Sequence, residues 1–334
     1  MTEATMEAKH LTEAYAEADY QALVDGAAIL LRPTAGVIIL TDQDRSDFLH
    51  RMTTNEINKL PLGQSAVTVL TNATARIEQV FTVVSRPDEL WLLPAPAQTV
   101  ALERHLRSQI FFMDKVKVRN GSETYKRLRV MGPAATVVLE KSGFMVAALA
   151  NGAWLENEGI IVLKQAHYDL PGYEIIVQTT PQDDLLEQAL IKRLQAAGAA
   201  LLTAEDAYQI RRIELGLPLP GYELTNEYNP LEAELGWSCA ENKGCYTGQE
   251  IIARQITYDK VTKRLVGLRS ETLLLPGAEV QAEGRTIGTV TSVAYSPALD
   301  APIALAILKR PHNAPGSQVQ VADQTATVSA LPFI

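Results

Sequence analysis

The chain has 334 residues, of which 47% are hydrophobic and 21% charged, the composition of a soluble globular protein with room for two or three domains. Its 30 Lys and Arg against 39 Asp and Glu give a net charge of −9. That balance argues against a general binder of nucleic acid or anionic membrane and leaves room only for a local basic surface. No apolar run approaches the roughly 18 to 20 residues of a membrane helix.

The first 25 residues are acidic, with a single lysine, Lys9. A secretory signal needs a basic start and an apolar centre, and a transit peptide avoids acids, so the sequence predicts neither. Leu11, Tyr15 and Ala18 recur at helical spacing and predict an amphipathic first helix. We therefore expect a cytoplasmic protein.

In chain order, "AGVIIL" predicts a buried strand that leads into a helix. "QSAVTVLTNATARIEQVFTVV" predicts two strands around a turn at residues 72–76, and "AQTVALERHLRSQIFF" predicts a helix. From about 125 to 200 the order strand, helix, strands, helix predicts a helix pair packed on an antiparallel sheet. "TAEDAYQIRRIELG" then predicts a helix that ends at Gly216 as its C′ residue.

After residue 263 the helical patterns stop. Short strands separated by Gly, Pro and Asp turns continue to the end of the sequence and predict a small β-barrel.

The chain has two cysteines, Cys239 and Cys245, with five residues between them and no CxxC spacing. Its five histidines form neither HxxxH nor HExxH, so we expect no metal site within one chain. For Cys239, beside Trp237, we expect a place in the core.

Five segments carry a family resemblance. They are "FLHRMTTNEI", "PGYEIIV", "RRIELGLPLPGYELTNEYNPLEAELG", "NKGCYTGQEIIARQ" and "IGTVTSVAYSP…PIALAILKR". In this order they resemble the YgfZ branch of the aminomethyltransferase (GcvT, T-protein) superfamily. The K-G-C-Y-x-G-Q-E octet at residues 243–250 is the part typical of the YgfZ type.

The resemblance implies an α+β fold, a three-domain ring around a channel that binds tetrahydrofolate or a derivative. Domain 1 would be discontinuous, 1–120 plus 205–262; domain 2, 121–204, would be ferredoxin-like; and 263–334 would be the β-barrel. It also implies a role in making or repairing iron–sulfur proteins, with indirect effects on tRNA modification. The partners would be a reduced folate and iron–sulfur client or assembly proteins, and we expect neither direct DNA binding nor a membrane.

The resemblance places the carboxylate that accepts the pterin's N–H pair at Glu174, in "PGYEIIV". A charged residue in an apolar strand is costly unless it is paired, which supports a site. The alternative is that Glu174 points outward on an alternating strand. Arg212 matches the family's cavity arginine, with an intrahelical pair to Asp206 or Glu214 as the alternative. Tyr173 joins the predicted binding set.

Family aminomethyltransferases also carry an aspartate beside the reacting folate nitrogen. The matching positions here are Gln79 and Val80, which cannot supply a carboxylate. Glu78 is adjacent, but on a regular strand it points to the opposite face. This departure argues against aminomethyl transfer and leaves folate binding possible.

In the octet, Thr247 and Glu250 have capping-box spacing, which predicts a helix that begins near Gly248. Cys245 then precedes a helix N-terminus close to Lys243, conditions that favour a reactive thiolate. Lys243 is predicted to bind the folate tail or a phosphate, and Gln249 and Arg254 to join the binding set. The alternative is a small buried Cys245 with a solvated Lys243.

Asn55, in "TTNEI", is predicted to line the channel, with ordinary helix C-capping as the alternative. Three functions stay open at this point. The first is a folate-binding accessory protein for iron–sulfur enzymes, with Cys245 as a reactive thiol. The second is a folate-dependent aminomethyl or one-carbon transferase in which Glu78 or another acid replaces the aspartate. The third is a scaffold for a cluster held between two chains through paired Cys245.

Overall fold

A computed structural model describes residues 17–179 and 185–334, so the predicted helix around Leu11 and Tyr15 lies outside the described residues. The chain divides into two compact units. One comprises Gln21–Leu202 and Ser238–Gln249, and the other Thr203–Trp237 and Glu250–Ile334 with residues 17–20. The division into three domains stays a prediction.

The described residues contain seven α-helices. They are α1 (Glu17–Val24), α2 (Arg45–His50), α3 (Thr99–Ser108), α4 (Ala135–Lys141), α5 (Leu185–Ala196), α6 (Asp206–Glu214) and α7 (Gln249–Thr257). Helix α6 ends as the sequence predicts: Leu215 is its C-cap and Gly216 follows with φ +68°. Glycine suits that left-handed position because it has no Cβ.

The unit that comprises Gln21–Leu202 and Ser238–Gln249 is the larger of the two and contains two sheets. Its first sheet has six strands in the order β11-β1-β7-β10-β9-β8. These are β1 (Ala28–Leu31), β7 (Tyr125–Met131), β8 (Trp154–Asn157), β9 (Ile160–Gln165), β10 (Gly172–Gln178) and β11 (Ala200–Leu201). All neighbours are antiparallel except β1 and β11. Helices α4 and α5 pack on one face, where Val138 and Leu190 meet Ile175 of β10 in one core. The predicted helix pair on an antiparallel sheet is confirmed.

The second sheet of this unit has the order β3-β4-β5-β2-β6. Its strands are β2 (Ile38–Thr41), β3 (Ser65–Thr71), β4 (Ile77–Arg86), β5 (Glu89–Pro94) and β6 (Lys117–Asn120). Helices α2 and α3 cover one face through Phe48 and Leu102, which join Phe81 in a buried cluster.

The two sheets face each other through a third cluster, in which Ile176 of β10 meets Val84 and Trp91. Because side chains alternate along a strand, Glu174 lies on the same face as Ile176 and therefore in the layer between the sheets. A hydrogen bond from Gln165 Nε2 to Thr82 Oγ1, 3.0 Å, also joins the two sheets. The polar side chains between the two sheets therefore lie on the faces of the sheets that the helices do not cover.

The other unit contains a closed six-stranded barrel, as the sequence predicts from residue 263 onward. Its order is β12-β15-β14-β13-β16-β17, with all neighbours antiparallel. The strands are β12 (Lys263–Ser270), β13 (Glu279–Ala282), β14 (Arg285–Ser296), β15 (Ala301–Lys309), β16 (Gln318–Val321) and β17 (Gln324–Ser329). Small and branched apolar side chains such as Val290, Ala306 and Val328 fill its interior.

Candidate functional site

Glu174 lies between the two sheets and is only 1% exposed, so the alternative that it points outward is wrong. Its Oε1 accepts a 2.6 Å hydrogen bond from Nε of Arg127, on the neighbouring strand β7. Its Oε2 lies 3.6 Å from Nη1 of Arg129 and 4.0 Å from Nη1 of Arg32. A buried carboxylate needs such partners, because an unpaired charge in the interior is strongly disfavoured.

Further polar groups surround this carboxylate. Asp169 Oδ2 is 2.5 Å from Nη2 of Arg32. Arg129 Nη1 donates to Gln165 Oε1 at 2.9 Å, and its Nη2 donates to the carbonyl of Leu170. We call Arg32, Arg127, Arg129, Asp169 and Glu174 the intersheet cluster.

Counted over the described residues alone, the intersheet cluster has three guanidinium groups and two carboxylates, a formal excess of one positive charge. Among the described residues the buried Nε of Arg129 has no hydrogen-bond acceptor, since Asp169 Oδ2 is 3.8 Å away. Sequence reasoning missed Arg127 and Arg129. Their signal was the R-L-R alternation in "YKRLRVM", which puts two arginines on one face of an otherwise apolar strand.

Tyr173 precedes Glu174 and faces the opposite side of the sheet. Its ring is buried in the core beneath α4 and α5, and its hydroxyl is 2.7 Å from Thr136 Oγ1. Tyr173 and Glu174 are adjacent in the sequence motif, but their side chains lie on opposite faces of the sheet.

Arg212, on α6, belongs to the other compact unit and is 1% exposed. Its Nη1 donates to Glu223 Oε2 at 2.9 Å and its Nη2 to Ser292 Oγ at 2.6 Å. The alternative of an intrahelical pair with Asp206 or Glu214 is wrong, because Arg212 pairs with Glu223 and it is Arg211 that pairs with Glu214.

Glu223 was not anticipated and is completely buried. Its oxygens accept hydrogen bonds from Leu219 N–H, Thr291 Oγ1 and Ser292 Oγ in addition to Arg212. In the sequence its only signal was a second "PGYE" at residues 220–223, which repeats the motif that contains Glu174.

The octet begins with Lys243, which is 8% exposed, so the alternative of a solvated lysine is wrong. Its ammonium donates to the carbonyls of His50 and Asn55, at 2.6 and 2.8 Å, and to that of Thr53. Burial lowers the pKa of Lys243 to about 8. An ammonium has three N–H donors, and all three of these are used within the protein. Its role as a folate-tail ligand stays a prediction.

Asn55 is brought next to Lys243 through its carbonyl. Its side chain does not cap a helix, because the C-cap of α2 is Arg51. Asn55 Nδ2 donates to the carbonyl of Val67 at 2.7 Å, and its Oδ1 accepts the N–H of Glu56 at 2.8 Å. These bonds fix the segment against β3.

Cys245 is exposed and Cys239 is 7% exposed, which confirms the core position predicted for Cys239. Burial raises the pKa of the Cys239 thiol to about 11. An exposed Cys245 contradicts the alternative of a small buried side chain.

Helix α7 begins at Gln249, one residue after Gly248. The backbone φ of Gly248 is +83°, and a Cβ there would lie 2.7 Å from the carbonyl oxygen of Asn72, so only glycine fits this close approach.

The predicted capping box at the start of α7 is wrong. The Glu250 side chain is 87% exposed and pairs with Arg254 at 3.6 Å instead of turning back to Thr247. Gln249 Oε1 accepts the N–H of Tyr246 at 3.3 Å, which satisfies one backbone donor of this turn.

The positions of the missing aspartate lie on β4. Val80 is 1% exposed, and the buried Oε1 of Gln79 has no hydrogen-bond partner in the part of the chain that the structure describes. The register of β3 and β4 shifts by one residue beside Glu78, which interrupts the strict alternation assumed for it. The Glu78 carboxylate lies 3.8 Å from His105 Nδ1 on α3.

Within the described residues, no group of three or more His, Cys, Asp or Glu side chains could hold a metal ion. None of the helices there combines the length and the apolar character that crossing a membrane requires.

The fold and these positions agree with a known family. Residues 6–243 match the GCVT N-terminal domain, and residues 263–334 match the glycine cleavage T-protein C-terminal barrel domain. The chain therefore belongs to the GcvT, or aminomethyltransferase, family.

Among similar proteins, a putative chloroplastic transferase of Arabidopsis thaliana is 29% identical over 90% of this chain and 69% of its own length. An aminomethyltransferase of Caldanaerobacter subterraneus is 26% identical over 94% of this chain and 85% of its own. The crystal structure of the glycine cleavage system aminomethyltransferase T from Bartonella henselae superposes with a TM-score of 0.83. It is 21% identical and the match covers 95% of this chain and 89% of that one. This last likeness supports the fold.

Proposed function

We propose that this protein binds a reduced folate and assists the assembly or repair of iron–sulfur enzymes, and that it does not transfer aminomethyl groups. The observation that carries the proposal is that a chain matching both GcvT domains has Val80 and Gln79 where the family's transferases carry an acid. Catalysis needs a group that interacts with the developing charge, and neither an aliphatic nor a neutral amide supplies a negative one.

The residues of the larger unit fit a pterin by their chemistry. A pterin presents adjacent N–H donors, and a carboxylate has about four lone-pair sites, so Glu174 keeps acceptor capacity beside its bond to Arg127. The buried Oε1 of Gln79 is a second acceptor, and no described residue donates to it. A ligand donor would remove the free-energy cost of leaving that oxygen unpaired.

The binding claim is tested by calorimetry with tetrahydrofolate and 5-formyltetrahydrofolate. We expect saturable binding by the wild type and loss of binding in Glu174→Gln, with Glu250→Gln, an exposed carboxylate, as the matched control. The absence of heat and of any thermal shift with millimolar ligand would refute the proposal. Normal binding by Glu174→Gln would remove only Glu174 from the site.

The iron–sulfur part rests on the octet and on the exposure of Cys245. Exposure allows the thiol to meet a second protein or a small reactant, which a buried thiol cannot do. In a strain that lacks its own YgfZ-type protein, we expect the wild type to restore iron–sulfur enzyme activity and Cys245→Ala to fail, with Cys239→Ala as the control thiol. Full rescue by Cys245→Ala would exclude that thiol from the function.

A second candidate, an active aminomethyltransferase, is favoured by the names of the similar proteins. A turnover assay with a methylamine-loaded lipoyl carrier protein separates the two, because only a transferase forms methylenetetrahydrofolate. We expect no turnover by the wild type and include Gln79→Asp, which restores a carboxylate at this position. Turnover by the wild type would replace the proposal by this candidate.

The third candidate is a cluster held between two chains by paired Cys245. The exposure of the thiol is its support. Anaerobic reconstitution followed by visible absorption spectroscopy decides it, because a cluster bound by thiolates absorbs in the visible region and the apoprotein does not.

A further inference from the structure

The segment between α3 and β6 exposes three consecutive large apolar side chains. Phe111 is 66% exposed, Phe112 98% and Met113 74%. Single exposed apolar residues are ordinary, but a contiguous exposed group marks an interaction site. We call Phe111, Phe112 and Met113 the apolar tip.

The apolar tip is held in one conformation by its own turn. The Asp114 N–H donates to the carbonyl of Phe111 at 3.0 Å, and Asp114 Oδ2 accepts the N–H of Phe111 at 2.8 Å. This places Phe112 and Met113 at the two central positions of a β-turn. Arg51 fastens the turn through a 2.5 Å bond to Asp114 Oδ2 and lies 5.9 Å from the centre of the Phe111 ring.

The chain segment that carries the apolar tip, residues 104–119, is basic, although the whole chain carries −9. Acids of neighbouring segments balance part of this charge: Glu103 pairs with Arg107, Asp42 with Lys117 and Asp47 with Arg51. Between residues 104 and 119 every exposed charged side chain is a cation: Arg104, Arg107, Lys115, Lys117 and Arg119. The acid of the turn, Asp114, is 12% exposed and neutralised by Arg51. Within the described residues, Arg104, Lys115 and Arg119 have no ion-pair partner.

We infer that the apolar tip and its basic flank dock on an anionic lipid bilayer. A bilayer of this kind offers negative headgroups above an apolar interior, which matches a projecting apolar turn flanked by cations. A second copy of the chain would bring like charges together, which disfavours self-association through this surface. Phe111 and Phe112 offer faces on which RNA bases stack. Met113 adds only aliphatic surface, which suits the apolar interior of a bilayer.

The test is co-sedimentation of the full chain with vesicles of phosphatidylcholine, with and without phosphatidylglycerol. We expect binding only to the vesicles with phosphatidylglycerol, and weaker binding as sodium chloride is raised. Phe112→Ser with Met113→Ser should lower the partition coefficient at least about tenfold, because two apolar side chains no longer leave water. The matched control is Met145→Ser with Leu275→Ser, residues 85% and 74% exposed elsewhere, which should bind normally.

Two further variants separate the contribution of the cations from that of the apolar side chains. Lys115→Glu with Arg119→Glu should abolish the preference for phosphatidylglycerol and the salt dependence. Phe112→Trp should show a blue-shifted emission on vesicles in the difference spectrum against the wild type. No binding by the wild type, equal loss in the control pair, or an unshifted Trp emission would overturn the inference. So would tip-dependent binding of single-stranded RNA or tip-dependent dimerisation in the absence of vesicles.

Discussion

Each compact unit contains a buried network of arginine and carboxylate side chains. The two networks are built from the same types of charged group but differ in the balance of positive and negative charge. Arg212 and Glu223 form a one-to-one pair, and the carboxylate accepts hydrogen bonds from Leu219, Thr291 and Ser292 as well. The intersheet cluster around Glu174 has three guanidinium groups against two carboxylates. It also contains a buried N–H, on Arg129, for which residues 17–179 and 185–334 supply no acceptor.

The difference separates a structural network from one with unused binding capacity. A balanced pair whose polar atoms all have partners gains nothing from a ligand, and the loss of one member leaves an uncompensated buried charge. An unbalanced cluster with an unpaired donor can still interact favourably with a further acceptor. The family pattern indicated Glu174 and Arg212. A ligand beside Glu174 would gain more favourable interactions than one beside Arg212, because, among the described residues, only the cluster around Glu174 keeps an unpaired polar group.

The largest expected effect is that of Arg212→Met. It leaves the Glu223 carboxylate buried and uncompensated, so the free energy of unfolding should fall by about 3–5 kcal/mol. Urea unfolding of the variant and the wild type measures it. In Arg212→Met with Glu223→Leu no charge remains, and the double variant should be more stable than the single one. A loss below about 1 kcal/mol in the single variant would contradict the structural role of the pair.

Lys243 extends the comparison to a buried cation whose hydrogen-bond partners are all carbonyls. Lys243→Met removes the donors of three carbonyls but also removes the cost of burying the ammonium, so we expect a net loss of about 2 kcal/mol. Lys141→Met, at an exposed position, is the control and should change the free energy of unfolding by less than about 0.5 kcal/mol. Equal effects of the two substitutions would show that the three bonds contribute nothing net.

Arg129→Met tests the unbalanced cluster. The substitution leaves Gln165 and the Leu170 carbonyl without a donor but also removes the excess positive charge, so the two effects oppose each other. We expect a loss of about 1 kcal/mol in urea unfolding, less than for Arg212→Met. A loss as large as that of Arg212→Met would mean that the excess cation is compensated within the protein, and the comparison would fail.

The smallest expected effect is a pKa change at His50. Burial, then the charge of Lys243, lowers the pKa of His50 below its ordinary 6.5, while Glu56 and Asp47 raise it and Lys59 lowers it. Because the folded-state pKa is the lower one, the unfolded chain binds more protons in this window. The His50 contribution to stability is therefore lost as the pH falls below about 6.5.

In Lys243→Met the pKa of His50 should rise toward its ordinary value. Proton NMR titration measures the shift, with the His50 signal assigned by its absence in His50→Gln. An unchanged or lower pKa in Lys243→Met would show that the charge of Lys243 does not act on His50.

Local sequence patterns were enough to predict most of the fold. The barrel from Lys263, the strand that contains Glu174 and the helix end at Gly216 follow from short-range rules of alternation, spacing and backbone conformation. The capping box predicted at Thr247 and Glu250 did not form, since Glu250 pairs with Arg254 along the exposed side of its helix. A side chain that can satisfy its charge at the surface has little reason to turn back to the backbone.

The sequence by itself determined that this chain is an α+β protein with a C-terminal barrel, that it has a GcvT-type motif set, and that no acid stands at Gln79 and Val80. Only the tertiary structure decided which groups the charged side chains contact. Arg127 meets Glu174 from 47 residues away, and Lys243 meets the carbonyl of His50 from 193 residues away. Such pairs leave no periodic trace in a sequence, because burial of a charge is determined by the elements that pack around it and not by its neighbours along the chain.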